Sequence, residues 1–209
     1  MVPGKAPEVQ VQLSFINEIL EIVEKCKTEK EILLFLDPVH QIHNNENGYC
    51  IQKVGKEGTK RVLSNTGRRR VNIIGAINPI DMGITTLITE CKCDSEVMKI
   101  FLKEIRNTYD EGHIITIILD NASYNRSYEV QDLAKELQIN LKYLPPYSPN
   151  LSLIERLWKF FKKKMVKNHY YSDFETFYNA IIAFFKDFDN YKEEIKTLIT
   201  FNFEIIKAN

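Results

Sequence analysis

The chain has 209 residues, 44% of them hydrophobic and 27% charged, with 28 basic and 28 acidic side chains that cancel. That length suits one sizeable α/β domain and is short for two, and the ordinary composition excludes a disordered or fibrous protein. Charged residues break every apolar run before the roughly 18 residues that a membrane span needs, and the N-terminus lacks the apolar segment of a secretory signal, so a cytosolic protein is expected, with no membrane partner.

Residues 2–7, rich in Pro and Gly, read as a linker, and Glu8 to Lys27 as a helix in which Val9, Leu13, Ile16, Leu20 and Val23 recur every three to four positions. A strand over Ile32–Leu36 follows and is expected to end at Asp37. The stretches 48–54 and 60–63 suggest a hairpin or an arm. Val71–Ile77 and Ile84–Thr89 are β-rich runs separated by the turn dipeptide Asn78-Pro79. Asp94 or Ser95 caps a helix to about Tyr109, and the β-branched run Ile114–Leu119 ends at Asp120-Asn121. Next come a helix over about Glu129–Leu137, a strand over Leu141–Leu144 and the turn Pro145-Pro146-Tyr147-Ser148-Pro149. Helices are expected over about Leu151–Val166, Ser172–Phe188 with Ser172 as its cap, and Tyr191–Ile206. The aromatics Phe174, Phe177, Tyr178, Phe184, Phe185 and Phe188 fall at helical spacing and read as core. The order predicts an α/β fold: a ribonuclease H-like mixed sheet flanked by helices, with C-terminal helices. Residues 1–28 are expected to form a linker and N-terminal helix, and 29–209 the ribonuclease H-like domain.

Three acids stand in distinctive frames. Asp37 and Asp120 each close an apolar strand run, and Glu155 opens the helix after the proline-rich turn. A carboxylate at the end of a buried strand is costly to keep charged without compensation, which a metal ion supplies. Taken singly, Asp37 reads as a turn residue before Pro38, Asp120 as an Asx-turn, and Glu155 as a first-turn acid favoured by the helix dipole. Together they point to a metal-dependent nuclease or strand transferase. Hard oxygen ligands suit Mg²⁺, with two ions expected: Asp37 bridging both, Asp120 on one and Glu155 on the other. Asn121 is expected to orient Asp120 or touch DNA. His40 and His43 follow Asp37 and are candidates for approaching the scissile phosphate, and Trp158 is expected to pack its helix on the sheet. Basic residues cluster at Lys53–Arg70, where Arg68, Arg69 and Arg70 are phosphate candidates, and at Lys159–Lys167, where Lys162 and Lys163 are candidates beside a purely dipolar role. The four cysteines (Cys26, Cys50, Cys91 and Cys93) give neither a disulfide scaffold nor a complete zinc site.

The blocks Phe35-Leu36-Asp37-x-Val39-His40, Thr66-Gly67-Arg68-Arg69-Arg70-Val71-Asn72-Ile73-x-Gly75-Ala76, Leu119-Asp120-Asn121-Ala122 and Leu144-Pro145-Pro146-Tyr147-Ser148-Pro149-x-Leu151-x-x-Ile154-Glu155-Arg156-x-Trp158 resemble the DDE transposases. The likeness is to the bacterial insertion-sequence branch related to mariner elements and runs from about Val2 to about Ile182. The 34 residues between Asp120 and Glu155 are the interval typical of that branch. The resemblance implies a ribonuclease H-like DDE endonuclease with Asp37, Asp120 and Glu155 as its metal-binding triad. It also implies Mg²⁺ or Mn²⁺ as cofactor and cut-and-paste DNA transposition. The implied partners are double-stranded transposon-end and target DNA, with TA as the target dinucleotide, and a second copy of the chain. A bacterial, cytoplasmic and DNA-associated location follows. Two positions depart from the pattern: Pro38 stands where many relatives have Glu, and Asn125 where many have His. Relatives also carry a helix-turn-helix region ahead of the catalytic domain, so a catalytic half, a split-reading-frame product or a truncated copy is expected, with a separate helix-turn-helix polypeptide as one source of DNA recognition. The alternatives are a non-catalytic DNA-binding remnant and another ribonuclease H-like nuclease.

Overall fold

The computed structural model describes residues 6–28, 30–44, 54, 55, 63, 65 and 67–207. Its five-stranded sheet has β1 (Glu31–Ile42) at the centre, β2 (Arg70–Ile77) and β3 (Ile84–Thr89) on one side, and β4 (Ile114–Leu119) and β5 (Ile139–Tyr143) on the other. β1, β2 and β3 form an antiparallel meander, whereas β4 and β5 run parallel to β1. β4 is an unbroken β-branched and leucine run because both of its faces are covered.

The helices are α1 (Val9–Thr28), α2 (Ser95–Thr108), α3 (Tyr128–Glu136), α4 (Ile154–Met165), α5 (Phe174–Lys186) and α6 (Lys192–Leu198). Alternation along β1 sorts the core in two. Leu33, Phe35 and Val39 face α1, α4 and α5, and join Phe15, Ile19, Trp158, Phe161 and Phe177. Leu34 and Leu36 face α2 and α3, and join Ile74, Phe101, Ile105, Ile117 and Val130. α1 buries Phe15 and Ile19 in the first of these cores, so no break in packing marks the boundary expected at residue 29.

Several expected elements take other bounds. β1 continues six residues past Leu36, so Asp37 lies within the strand rather than at its end. Pro38 is tolerated because β1 pairs with β4 only as far as Phe35, so the missing N–H falls where one edge has no strand partner. The cap of α5 is Asp173, which accepts from Thr176 N at 2.7 Å, rather than Ser172. α6 stops at Leu198, and the chain from 199 to 207 runs as an irregular strap, not as the helix expected to Ile206. Its backbone groups are claimed by side chains instead. Arg156 donates to Leu198 O, Thr200 O and Asn202 O at 3.2, 2.7 and 2.7 Å. Asn150 donates to Glu204 O at 2.6 Å, and the buried amide of Gln12 bonds both Ile206 O and Ile206 N. The arm expected at 48–54 and 60–63 lies, apart from Val54 and Leu63, outside the described residues.

Candidate active site

The sheet register builds the site. Phe35 pairs with Ile118 on parallel strands, so two residues further on Asp37 and Asp120 stand side by side. On the other flank of β1, Asp37 pairs with Gly75. Beyond β4, Leu119 pairs with Tyr143, and Leu144 N donates to Leu119 O at 2.9 Å, which carries the ladder to the start of the proline turn. Gly75, Asp37, Asp120 and Leu144 therefore form one row across the sheet. The turn 145–153 crosses back over that row and delivers Glu155 in the first turn of α4. All three acids line one cavity of about 470 Å³, whose other wall is Leu144, Pro145, Pro146, Tyr147 and Pro149.

The electrostatics follow from this convergence. Burial, then the charges of Glu155 and Asp120, push Asp37 well above the ordinary carboxylate value, and the Trp158 indole opposes the rise. Asp120 is held differently. Its Oδ1 accepts from Ala122 N at 3.1 Å, the Asx-turn expected of it, and from Asn125 Nδ2 at 2.8 Å. Both bonds fall on one oxygen, so ligation by the other disturbs neither. Among the described residues no three His, Cys, Asp or Glu side chains close on a single ligating point. The carboxylates share the cavity without forming a finished cage.

Sequence reasoning passed over Asn125 as a departure from pattern, yet it is fully buried and pins Asp120. Its own backbone carbonyl accepts from Tyr143 Oη at 2.8 Å. The five-residue spacing from Asp120 across a tight turn was the available signal. Tyr124 was also missed. Burial, then the charges of Asp120, Cys93 and Asp37, raise its phenol above the ordinary value, so it stays neutral beside the acids. Tyr147 lines the cavity with φ +59°, a left-handed conformation that costs a non-glycine residue about 1–2 kcal/mol. Strain of this kind collects at functional sites.

The remaining candidates divide. Asn121 donates to Leu144 O at 2.6 Å and accepts from Arg126, which clamps the Asp120 loop to the proline turn. His40 stands three residues past Asp37, on the opposite face, where its Nδ1 meets Asn72 Oδ1 at 2.6 Å. It does not join the acids. Nor does His43, which is buried with its Nε2 at 3.0 Å from Tyr171 O and its ring stacked on Phe177. Trp158 is buried over Gly75, as its packing role requires.

Among the arginines, Arg69 is spent on Glu90 at 2.8 Å and on the Phe174 ring at 3.7 Å. Arg68 is exposed, and Arg70 opens β2 on the α2 side, where its charge reaches Cys93. Lys53, Lys56, Lys60 and Arg61 lie outside the described residues. On α4, Lys159 and Lys162 follow Glu155 by four and seven residues and so share its side of the helix, while Lys163 is turned away by about a quarter turn. Lys164 pairs with Glu194 at 2.9 Å. A second groove of about 220 Å³ lies on the far side of Glu155, between Arg156, Lys159 and Glu204 of the strap.

Comparison with known proteins agrees with this geometry. A family model described as DDE superfamily endonuclease matches residues 32–178. A 39 kDa protein of the insertion element IS630 from Shigella sonnei is 28% identical over 153 residues, 72% of this chain and 43% of that protein. An uncharacterised protein of Sinorhizobium fredii is 32% identical over 83 residues, 40% of this chain and 59% of that one. The chain thus spans less than two thirds of either relative. The fold is that of the Mos1 mariner transposase catalytic domain, with TM-score 0.62 at 15% identity, covering 95% of this chain and 93% of that domain. The Mos1 strand transfer complex gives TM-score 0.66 at 14% identity over 95% of this chain and 61% of the other.

Proposed function

Because the chain belongs to the DDE superfamily endonucleases, we propose that it is the catalytic domain of a transposase that cuts DNA phosphodiesters at transposon ends and joins them to a target. The observation that carries this reading is the meeting of Asp37, Asp120 and Glu155, from a central strand, a strand end and a helix, in one cavity. The donor set is all carboxylate, which fits Mg²⁺ or Mn²⁺. A buried aspartate with two like-charged neighbours is electrostatically unfinished without a cation. Similar structures include Mos1 paired-end complexes with Mn and with Mg, which supports the same choice of ion here.

Ions bound by the triad, two on this reading, supply activation of a water or 3′-hydroxyl and stabilisation of the leaving oxygen. The protein's own part is placement. Asn125 and the Ala122 N–H fix Asp120, the Asn121 clamp holds the loop beneath it, and the row across the sheet sets Asp37 beside it. Lys159 and Lys162 extend a positive edge from Glu155 along α4, suited to the backbone phosphates of duplex DNA. Arg68 and Lys163, both exposed, are further phosphate candidates outside that edge. Two copies of the chain bring two DNA ends together, and a helix-turn-helix polypeptide supplies terminal-repeat recognition, with TA as the target.

The test is cleavage of a labelled transposon-end duplex with Mn²⁺, comparing the parent with Asp120→Asn. Metal-dependent nicking followed by strand-transfer products, both lost in the variant, is the expected result. Nicking without joined products would favour a different ribonuclease H-like nuclease. DNA binding without any cleavage would make the chain a non-catalytic remnant.

A further inference from the structure

Trp158 is the only tryptophan in the chain and is 3% exposed. Its indole N–H nevertheless has no acceptor in hydrogen-bonding geometry among the described residues. A buried tryptophan N–H ordinarily finds a partner, since one left unmade has lost its bond to water without replacement. The ring's own contacts locate the N–H edge. A Cβ on Gly75 would meet Trp158 Cη2 at 2.6 Å and Cζ2 at 2.9 Å. Cζ2 is bonded to the carbon that carries Nε1, so the edge pressed onto β2 is the N–H edge. Gly75 is the cross-strand partner of Asp37, and Glu155 lies one helical turn before Trp158. The indole therefore packs on the strand beside Asp37, at a depth that only a glycine at 75 permits.

We propose that Trp158 is a positioning residue for Asp37: its indole N–H fixes one carboxylate oxygen and leaves the other to the ion. Both aspartates are then oriented by a neutral donor, Asp37 by Trp158 and Asp120 by Asn125. Neutral donors hold a carboxylate in place without competing with a cation for its charge. Such partners behind metal-binding groups orient them and tune the site. The inference deepens the metal-site reading and rests on it.

A single tryptophan gives a single indole signal in a ¹H–¹⁵N spectrum, which can be followed without further assignment. In metal-free protein, Asp37→Ala is expected to move that signal, and Gly75→Ala, which displaces the ring without deleting it, to move it as well. Trp158→Phe keeps an aromatic ring and loses the donor. It is expected to weaken Mn²⁺ binding, measured by calorimetry, about 10–100-fold with unchanged circular dichroism. An indole signal at the same position in the parent and in Asp37→Ala overturns the proposal, as does a Trp158→Phe protein that binds Mn²⁺ like the parent. A parent that binds no Mn²⁺ sinks the metal-site reading itself. The spectrum, recorded without metal, separates that failure from failure of the contact.

Discussion

The two faces of the sheet use the same strands for different ends. On the α2 and α3 face, His40 meets Asn72, and Asn72 donates to Cys91 O at 2.6 Å. Around them is a mostly aliphatic core. On the α4 face the core is heavily aromatic, and the polar groups at its upper edge are left in conflict, three acids around one cavity with Asp37 raised by burial and then by its acidic neighbours. The three acids converge on one face and His40 lies on the other. The contrast shows why a residue three positions from a catalytic candidate on a strand can be irrelevant to it: Asp37 and His40 share a strand but not a face.

The sharpest way to break this contrast is charge removal. Asp120→Asn or Glu155→Gln is expected to lower metal-dependent cleavage on the order of 10³-fold, the several kcal/mol that metal-assisted charge stabilisation provides. On the other face, Asp94→Ala, which deletes the cap that accepts from Val97 N, should leave the rate per folded molecule unchanged. Its cost should appear as stability, about 1 kcal/mol in denaturant titration. Equal loss of activity in both would erase the distinction between the faces.

Overpacking gives the next effect. Gly75→Ala drives a methyl group into the Trp158 ring and is expected to cost about 1–3 kcal/mol of stability, read from the urea midpoint at constant m-value.

A pH experiment sharpens the electrostatic half of the comparison. The folded-state pKa of Asp37 is raised above its ordinary value of 3.8, so the folded protein keeps a proton that the unfolded chain has released. Stability from this group is complete below that value and is lost as pH rises through the raised pKa. In metal-free protein, the melting temperature of the parent should therefore fall relative to Asp37→Asn as pH rises from about 4 to about 8. Saturating Mg²⁺ should reverse the trend in the parent alone. A constant gap between the two proteins would mean that Asp37 is not perturbed.

The smallest effect belongs to the surface. Glu90→Gln removes the partner of Arg69, and with both side chains about half exposed it should change stability by less than about 1 kcal/mol, and less still in high salt.

Much of this was legible in the chain. The β-branched run 114–119 could be buried only as a central strand, and the proline turn could lead only into a helix with Glu155 near its start. The sheet register was not legible: nothing local in sequence says that Asp37 lies opposite both Asp120 and Gly75. The end of β1 was misplaced because Pro38 reads as a stop, whereas a strand with one free edge accommodates it. The last helix was overextended because Phe201, Phe203 and Ile206 keep an apolar rhythm. The carbonyls there are bound by Arg156, a competitor that lies over forty residues away in sequence. His40 was credited for its nearness along the chain, and Asn125 was discounted for differing from a pattern. In each case a tertiary partner decided the matter.

The amide of Gln12 has one more consequence. It binds Pro7 O at 2.8 Å and Ile206 O at 2.7 Å, so the two ends of the described chain leave the molecule at one corner. Ends this close can be spliced by a short linker and the chain reopened elsewhere, for instance in the 110–113 turn between α2 and β4. Such a rewired protein would keep the row of Gly75, Asp37, Asp120 and Leu144 intact while reversing which half of the sheet is synthesised first. A donor and acceptor dye attached near residues 6 and 207 would register as close neighbours in the native protein. They would part as soon as the strap let go, a local opening visible by light long before the sheet unravels.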